Sequence, residues 1–292
     1  MNDSVTERPI YGVYFCCCIG NYLEVVEEQL KCMCDSQSDN LYKKTKQILF
    51  FVCLYVNTSQ KLNDLVKKYD TNNKFKFITT DENLYEKYAI NNYKKHIEDP
   101  SYYLYYMHTK GISHDINKQP IFTNIRQILN FYTITKHKIN IKLLEKYDAV
   151  GCSLSIYPVL HFSGNFWWAK SEYLNKLEDC GNEYLDPEMY IGAKSKLNKE
   201  QYLAITKEKS SNRMSQLKIP LNRSRLFKYA NPQPLQNKNI ILDQFVSLST
   251  TTNHGKLNLH INRSDDDILN NLDEYPINNI YCRNVKCSLN KP

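Results

Sequence analysis

Tyr102-Tyr-Leu-Tyr-Tyr-Met-His-Thr-Lys-Gly-Ile-Ser113 is an aromatic-rich, strand-like run that stops abruptly at polar residues and a glycine. Further along, His161-Phe-Ser-Gly-Asn-Phe-Trp-Trp-Ala169 gathers His, Ser, Gly, Asn and both tryptophans of the chain into one short segment. A strand that ends in a polar, glycine-containing loop is what an open α/β sheet presents at its carboxyl edge, where such sheets bind ligands.

Working outward, short apolar runs alternate with longer helical ones. Residues 10–18 read as a buried strand and 21–34 as a helix with Leu23, Val26, Leu30 and Met33 on one face. Residues 47–56 read as the second strand, 59–69 as a helix, 75–80 as the third strand, 82–96 as a helix and 102–107 as the fourth strand. Repeated β-then-α units of this length predict an α/β fold with a largely parallel sheet and helices on both faces. Beyond them come a helix at 120–146, a strand at 149–156 and a short helix at 170–177. Residues 196–239 are basic, rich in Ser, Asn and Pro and poorly periodic, which predicts a long excursion packed on the sheet, a loop, or both. Residues 240–248 are apolar enough to return to the core as a strand or a helix. Ser264 before Asp265, Asp266 and Asp267 reads as a helix cap with acids that complement the dipole. The division expected is a flexible start at 1–9, one α/β domain at 10–195 and an irregular C-terminal extension at 196–292 that completes the fold or an acceptor site.

The net charge of +7 comes from lysines scattered among acids and asparagines, so a solvated surface is expected ahead of a nucleic-acid face. No apolar run of about 18 residues occurs, and no membrane-spanning helix is predicted. Met1 to Pro9 lack the basic and apolar regions of a signal peptide, which predicts a cytoplasmic protein. The Asn-x-Ser/Thr triplets at Asn57, Asn222 and Asn262 carry no weight without a secretory signal. Of the ten cysteines, Cys16, Cys17, Cys18, Cys53 and Cys152 fall in strand patterns, where a free thiol behaves as a small buried hydrophobe. Cys32/Cys34 and Cys282/Cys287 are the close pairs, and neither has the spacing of a structural zinc site.

Three places carry residues suited to chemistry. At the end of the fourth strand stand His108, Thr109, Lys110 and Gly111, with His114 shortly after. A lysine beside a glycine turn neutralises a diphosphate, exposed N–H groups add hydrogen bonds, and histidine serves as proton donor or metal ligand. The plain alternative is a polar loop after a core strand. In the second place, Trp167 and Trp168 project to opposite faces of a strand, so one is expected to pack inward and the other to offer a platform to a sugar ring or nucleobase. Ser163, Gly164 and Asn165 allow close backbone approach and supply a carboxamide for hydroxyls. A tight hairpin with a tryptophan lid over the core accounts for the same composition. The third place is Leu185-Asp-Pro-Glu-Met-Tyr-Ile-Gly192, where Pro187 suits a first helical turn, Asp186 its cap, and Glu188 a base that deprotonates an acceptor hydroxyl.

Taken in order, these motifs resemble a group of GT-A-like glycosyltransferases of bacteria and large DNA viruses, similar to the rhamnan synthesis F proteins. The resemblance runs over residues 10–195: Gly20-Asn21 and Val25-Val-Glu-Glu-Gln-Leu30, Leu84-Tyr-Glu-Lys-Tyr-Ala89, Tyr106-Met-His-Thr-Lys-Gly-Ile-Ser113, Arg126, His161 to Ala169, and Pro187-Glu188. It implies a Rossmann-like sheet that binds a nucleoside-diphosphate sugar and transfers its glycosyl group to a glycan or protein acceptor, in the host cytoplasm if a virus encodes it. On that pattern His108, Lys110, Arg126 and Glu188 are catalytic. His114, His161, Ser163, Gly164, Asn165, Trp167, Trp168 and Asp186 bind substrate, while Gly20, Asn21, Tyr85, Glu86, Thr109 and Gly111 bind the nucleotide.

A typical member carries Asp-x-Asp after the fourth strand to hold the divalent metal, Mn²⁺ or Mg²⁺, that grips the diphosphate. Here His108-Thr109-Lys110 stands in its place. Two readings stay open: metal-independent transfer with Lys110 and Arg126 on the leaving diphosphate, or a metal held by His108, His161 and a carboxylate. A catalytically degenerate fold that binds a glycan or nucleotide is the alternative function, and nucleic-acid binding by the basic stretch after residue 196 ranks lowest.

Overall fold

The computed structural model describes residues 8–34, 39–56, 59–113, 119–145, 147–152, 154–155 and 161–192, with strands at 226–229, 248–253 and 256–261. His114, the three glycosylation triplets, Cys282/Cys287, residues 240–247 and the cap at Ser264 lie outside them.

The elements in chain order are β1 (Ile10–Cys17), α1 (Tyr22–Met33), α2 (Leu41–Lys44), β2 (Thr45–Cys53), α3 (Ser59–Lys67), β3 (Phe75–Thr80), α4 (Tyr85–Asn92) and β4 (Tyr103–His108). Then follow α5 (Gln119–Asn130), α6 (His137–Leu144), β5 (Ala149–Cys152), β6 (Leu154–Ser155), β7 (His161–Phe162), β8 (Trp167–Lys170), α7 (Ser171–Leu174), α8 (Asp186–Met189), β9 (Leu226–Tyr229), β10 (Leu248–Asn253) and β11 (Lys256–Ile261). The main sheet has seven strands in the order β3-β2-β1-β4-β8-β5-β9. Strands β1 to β4 are parallel, the 3-2-1-4 half of a Rossmann-type sheet. β8 runs antiparallel to both its neighbours, and β9, from residues assigned to the C-terminal extension, pairs with β5. The α/β, mostly parallel architecture expected from the sequence is therefore present.

Adjacent residues on β4 show why helices cover both faces. Side chains alternate along a strand, so Tyr105 and Tyr106 point to opposite sides. Tyr105 meets Trp168 at 5.1 Å between ring centroids, and the Trp168 indole donates to the Thr133 carbonyl 2.8 Å away in the π-helical turn Phe131–Thr135 between α5 and α6. Tyr106 stacks on Trp167 at 5.3 Å and donates to Glu86 on α4 at 3.0 Å. Every residue of β1 is buried in consequence, and Gly12 is required because a Cβ there would collide with the Tyr105 ring.

Several boundaries differ from expectation for local reasons. The buried stripe of α1 is Tyr22, Val25, Val26, Gln29, Leu30 and Met33, with Leu23 at its margin. The unforeseen single turn α2 is capped by Asn40, whose side chain accepts from the Lys43 amide, and is closed by Lys74, whose ammonium donates to the carbonyls of Tyr42, Lys43 and Thr45. The 82–96 helix starts only at Tyr85 and tightens into a 3₁₀ turn at Tyr93–His96. The strand expected at 149–156 divides into β5 in the main sheet and β6, which pairs with β7 in a separate ribbon. Cys16, Cys17, Cys18, Cys53 and Cys152 are buried thiols.

Candidate functional site

Chain connections leave β1 toward β2 on one side and pair it with β4 on the other, so the strand order reverses at the carboxyl edge between β1 and β4. That crevice is where an open α/β sheet receives ligands. The two loops that meet there are built closely. Gly20 has φ of +56°, and a Cβ on it would strike the Ile112 carbonyl. Gly111 has φ of +89°, and a Cβ on it would lie 2.6 Å from Phe122. Buried Thr109 extends the ladder through its amide to Phe15, 3.1 Å.

Behind this loop lies a polar lattice that sequence reading only partly foresaw. Arg126 is 3% exposed. Its Nε and Nη2 donate to Glu28 on α1 and its Nη1 to the Lys110 carbonyl, 3.0 Å. Gln29 donates to the His108 carbonyl at 3.0 Å and to Asn130 at 3.1 Å, and accepts from the Tyr14 hydroxyl at 2.6 Å. Asn130 in turn donates to Glu28. Arg126 thus braces the His108-Thr-Lys-Gly111 turn from the inside, and the expectation of a free guanidinium for a leaving group gives way to a committed ion pair. Glu28 and Gln29 stood within the quoted Val25 to Leu30 motif, and the signal was Gln29 on the buried face of a helix.

On the open side, Glu86 is the hub. One carboxylate oxygen accepts from His108 Nδ1 at 2.6 Å, Asn165 Nδ2 at 2.7 Å and the Tyr106 hydroxyl at 3.0 Å. Burial pushes the Glu86 carboxyl up, but the His108 charge, the hydrogen bonds from His108 and Asn165, and the Lys110 charge outweigh it and hold the group below its usual range. The Tyr106 phenol is pushed well above its usual range, by burial first and by Glu86 next, so it stays protonated as a donor. Lys110 is half-buried, and among the described residues its ammonium makes no hydrogen bond or ion pair.

Asn165 is buried, adopts φ of +54° after Gly164 at +93°, and ties the sites together: its Nδ2 binds Glu86 and its Oδ1 accepts from Trp167 Nε1 at 2.9 Å. The Gly164 amide donates to Glu188 at 2.6 Å, and the other Glu188 oxygen has no hydrogen-bond partner among the described residues. Ser163 lies 3.2 Å from Nε2 of buried His161.

Two expectations are corrected here. Both tryptophans are 1% exposed, each packed under a different helical layer, so neither offers the open face that a sugar platform needs. Asp186 is the first residue of α8, with Leu185 at the cap position, and its carboxylate accepts from the Glu183 amide at 3.0 Å to close the preceding turn. Asn21 stands at the start of α1, its side chain accepts no capping hydrogen bond, and its Oδ1 is buried without a partner among the described residues. Tyr85 is an exposed aromatic of this region, 59% exposed at φ of +55° beside Glu86.

The donor set at the end of β4 does not fit a divalent cation: His108 Nδ1 is committed to Glu86, and the next charged group is the Lys110 ammonium. Among the described residues no three His, Cys, Asp or Glu side chains gather to hold a metal, and His108 and His161 do not meet in such a group. Among them, too, no helix is long and apolar enough to cross a membrane.

No curated protein matches the chain. Among solved structures, the mannosyltransferase PcManGT from Pyrobaculum calidifontis in complex with GDP-Man and Mn²⁺ aligns with a TM-score of 0.38 and 13% identity, covering 76% of this chain and 55% of that one. HddC from Yersinia pseudotuberculosis aligns at 0.34 and 15%, covering 64% and 86%. The 4-diphosphocytidyl-2C-methyl-D-erythritol synthase from Anaerococcus prevotii aligns at 0.30 and 14%, covering 50% and 55%. The chain spans about half the length of the mannosyltransferase and the erythritol synthase. Residues 19–216 match the family model described as a domain of unknown function, DUF8361, and the chain belongs to that family.

Proposed function

We propose that the protein is a GT-A-like glycosyltransferase that takes a nucleoside-diphosphate sugar and passes the sugar to a glycan or protein hydroxyl without a divalent metal. The observation that carries this reading is a half-buried Lys110 ammonium without a partner among the described residues, at the sheet's switch point and beside a preformed Glu86–His108–Asn165 cluster. An ammonium in a partly desolvated crevice stabilises the negative charge that grows on a leaving diphosphate. Gly20, Asn21, Thr109, Gly111 and exposed Tyr85 are assigned to the nucleotide.

Glu188 is the base in this account. One oxygen is anchored on the Gly164 amide, which fixes its direction, and the second is open to an acceptor hydroxyl. Arg126 acts indirectly, through the Lys110 carbonyl it holds. Residues 196–292 are assigned to completing the fold or the acceptor site. The competing reading, a nucleotide- or glycan-binding protein without catalysis, shares the same crevice and differs in donor consumption.

A thermal-shift screen against UDP-, GDP- and dTDP-sugars, each with Mn²⁺, Mg²⁺ or EDTA, tests the reading. A ligand that binds only the folded state raises the melting temperature by mass action. Stabilisation by one nucleotide-sugar, equal in EDTA, is the expected result. Stabilisation by none removes the donor site from the account, and glycan binding with no donor consumed favours the competing reading.

A further inference from the structure

His108 Nε2 is buried and has no hydrogen-bond partner among the described residues, although His108 is only 5% exposed. A buried polar nitrogen left unpaired is destabilising. The ring is nonetheless held where it is. Nδ1 lies on Glu86, Glu86 is fixed by Tyr106 and Asn165, Asn165 is fixed by the Trp167 indole, and Phe166 sets its ring edge-on to the imidazole at 5.2 Å. Five residues therefore determine which ring nitrogen is left over, and Lys110 follows two positions later.

We infer that Glu86 is a positioning residue that holds His108 with Nδ1 on the carboxylate and Nε2 toward a phosphate oxygen, so that Nε2–H and the Lys110 ammonium together clasp the diphosphate. This rests on the donor reading above and adds a proton to it. With Nδ1–H on Glu86, Nε2 donates only when the ring carries both protons. Binding a phosphate oxygen therefore draws one proton from solution wherever the free ring is neutral, and affinity falls as pH rises, by up to about tenfold per pH unit. The other charged or titratable groups around the ring are Glu86, Tyr106, Lys110, the Glu28–Arg126 pair behind the loop, and Glu188 and His161 from the α8 and β7 side. His161 is the other histidine among them, so His161→Gln is the control.

The test is isothermal titration of inorganic pyrophosphate in EDTA from about pH 6 to about pH 8, in buffers of different protonation enthalpy. The ligand's own titration is common to every variant and cancels in the difference. Wild type and His161→Gln are expected to take up more protons than His108→Gln, by an amount that rises toward one per site, and Glu86→Gln is expected to lose that excess. Equal uptake in wild type and His108→Gln, or no pyrophosphate binding, overturns the inference. The ¹⁵N signals of the free wild-type His108 ring read the Glu86 contact without any variant: a protonated Nδ1 is expected, and a bare Nδ1 overturns it. Nucleotide-sugar binding without the proton linkage sinks this inference and leaves the donor reading standing. Linkage with pyrophosphate but no nucleotide-sugar binding does the reverse.

Discussion

Arg126 and Glu28, 98 positions apart in the chain, meet as a two-toothed ion pair, with Nε 3.1 Å from one carboxylate oxygen and Nη2 2.7 Å from the other. The pair joins α5 to α1, and through the Lys110 carbonyl it sets the height of the loop that carries the site's lysine. Removing one partner strands the other in a partly dry environment. Arg126→Met is expected to cost about 3 kcal/mol in urea unfolding, and Arg126→Lys to recover only part of it, because an ammonium cannot match the forked geometry. An Arg126→Met, Glu28→Leu double variant more stable than Arg126→Met alone confirms the coupling, and additive losses refute it.

Stability should also carry the mark of Glu86. Its folded carboxyl titrates below the ordinary glutamate range, so between the two values the unfolded chain binds the extra proton. The contribution is complete above the unfolded value, near about pH 4.3, and is lost as pH falls through the folded one. Urea midpoints followed from neutral to acid pH should fall less steeply in Glu86→Gln than in wild type. An unchanged slope counts against an ionised hub.

Because Trp167 and Trp168 are both buried, intrinsic fluorescence is expected to be blue-shifted and poorly quenched by iodide in the free protein. Trp168→Ala, which removes a packed indole and its bond to Thr133, is expected to cost about 3–5 kcal/mol. Strong iodide quenching that a sugar ligand relieves is the outcome at odds with this packing.

Gly164→Ala is expected to destabilise by roughly 1–3 kcal/mol. The backbone sits at φ of +93°, and a Cβ there would lie 2.8 Å from Leu129. The amide that anchors Glu188 belongs to the same residue, so donor turnover should fall further than stability alone explains. Turnover equal to wild type at a temperature where both are folded argues against Glu188 as the base.

The alternation of strands and helices was legible because β1, most of β2 and most of β4 are buried on both faces and read as apolar runs, while the edge strand β3 alternates. The carboxyl-edge loop was legible for the same reason, since polarity returns abruptly at His108. What pattern reading misses is pairing between distant segments. β8 enters the sheet antiparallel because its two tryptophans each find a tyrosine of β4, and nothing in a single strand's composition encodes its direction. Arg126 looked like a free cation because its partner lies on another helix. Tryptophan burial was misjudged because opposite-facing side chains imply two cores as readily as one core and one open platform.

The central claim is that a lysine holds the donor diphosphate in place of a metal. Titration of the stabilising nucleotide-sugar into wild type and Lys110→Ala, in EDTA and then with Mn²⁺, tests it most directly. Binding in EDTA that Mn²⁺ leaves unchanged and Lys110→Ala weakens at least about tenfold, a loss of about 1.4 kcal/mol, is the predicted result. Binding that appears only with Mn²⁺, or that Lys110→Ala leaves intact, contradicts it.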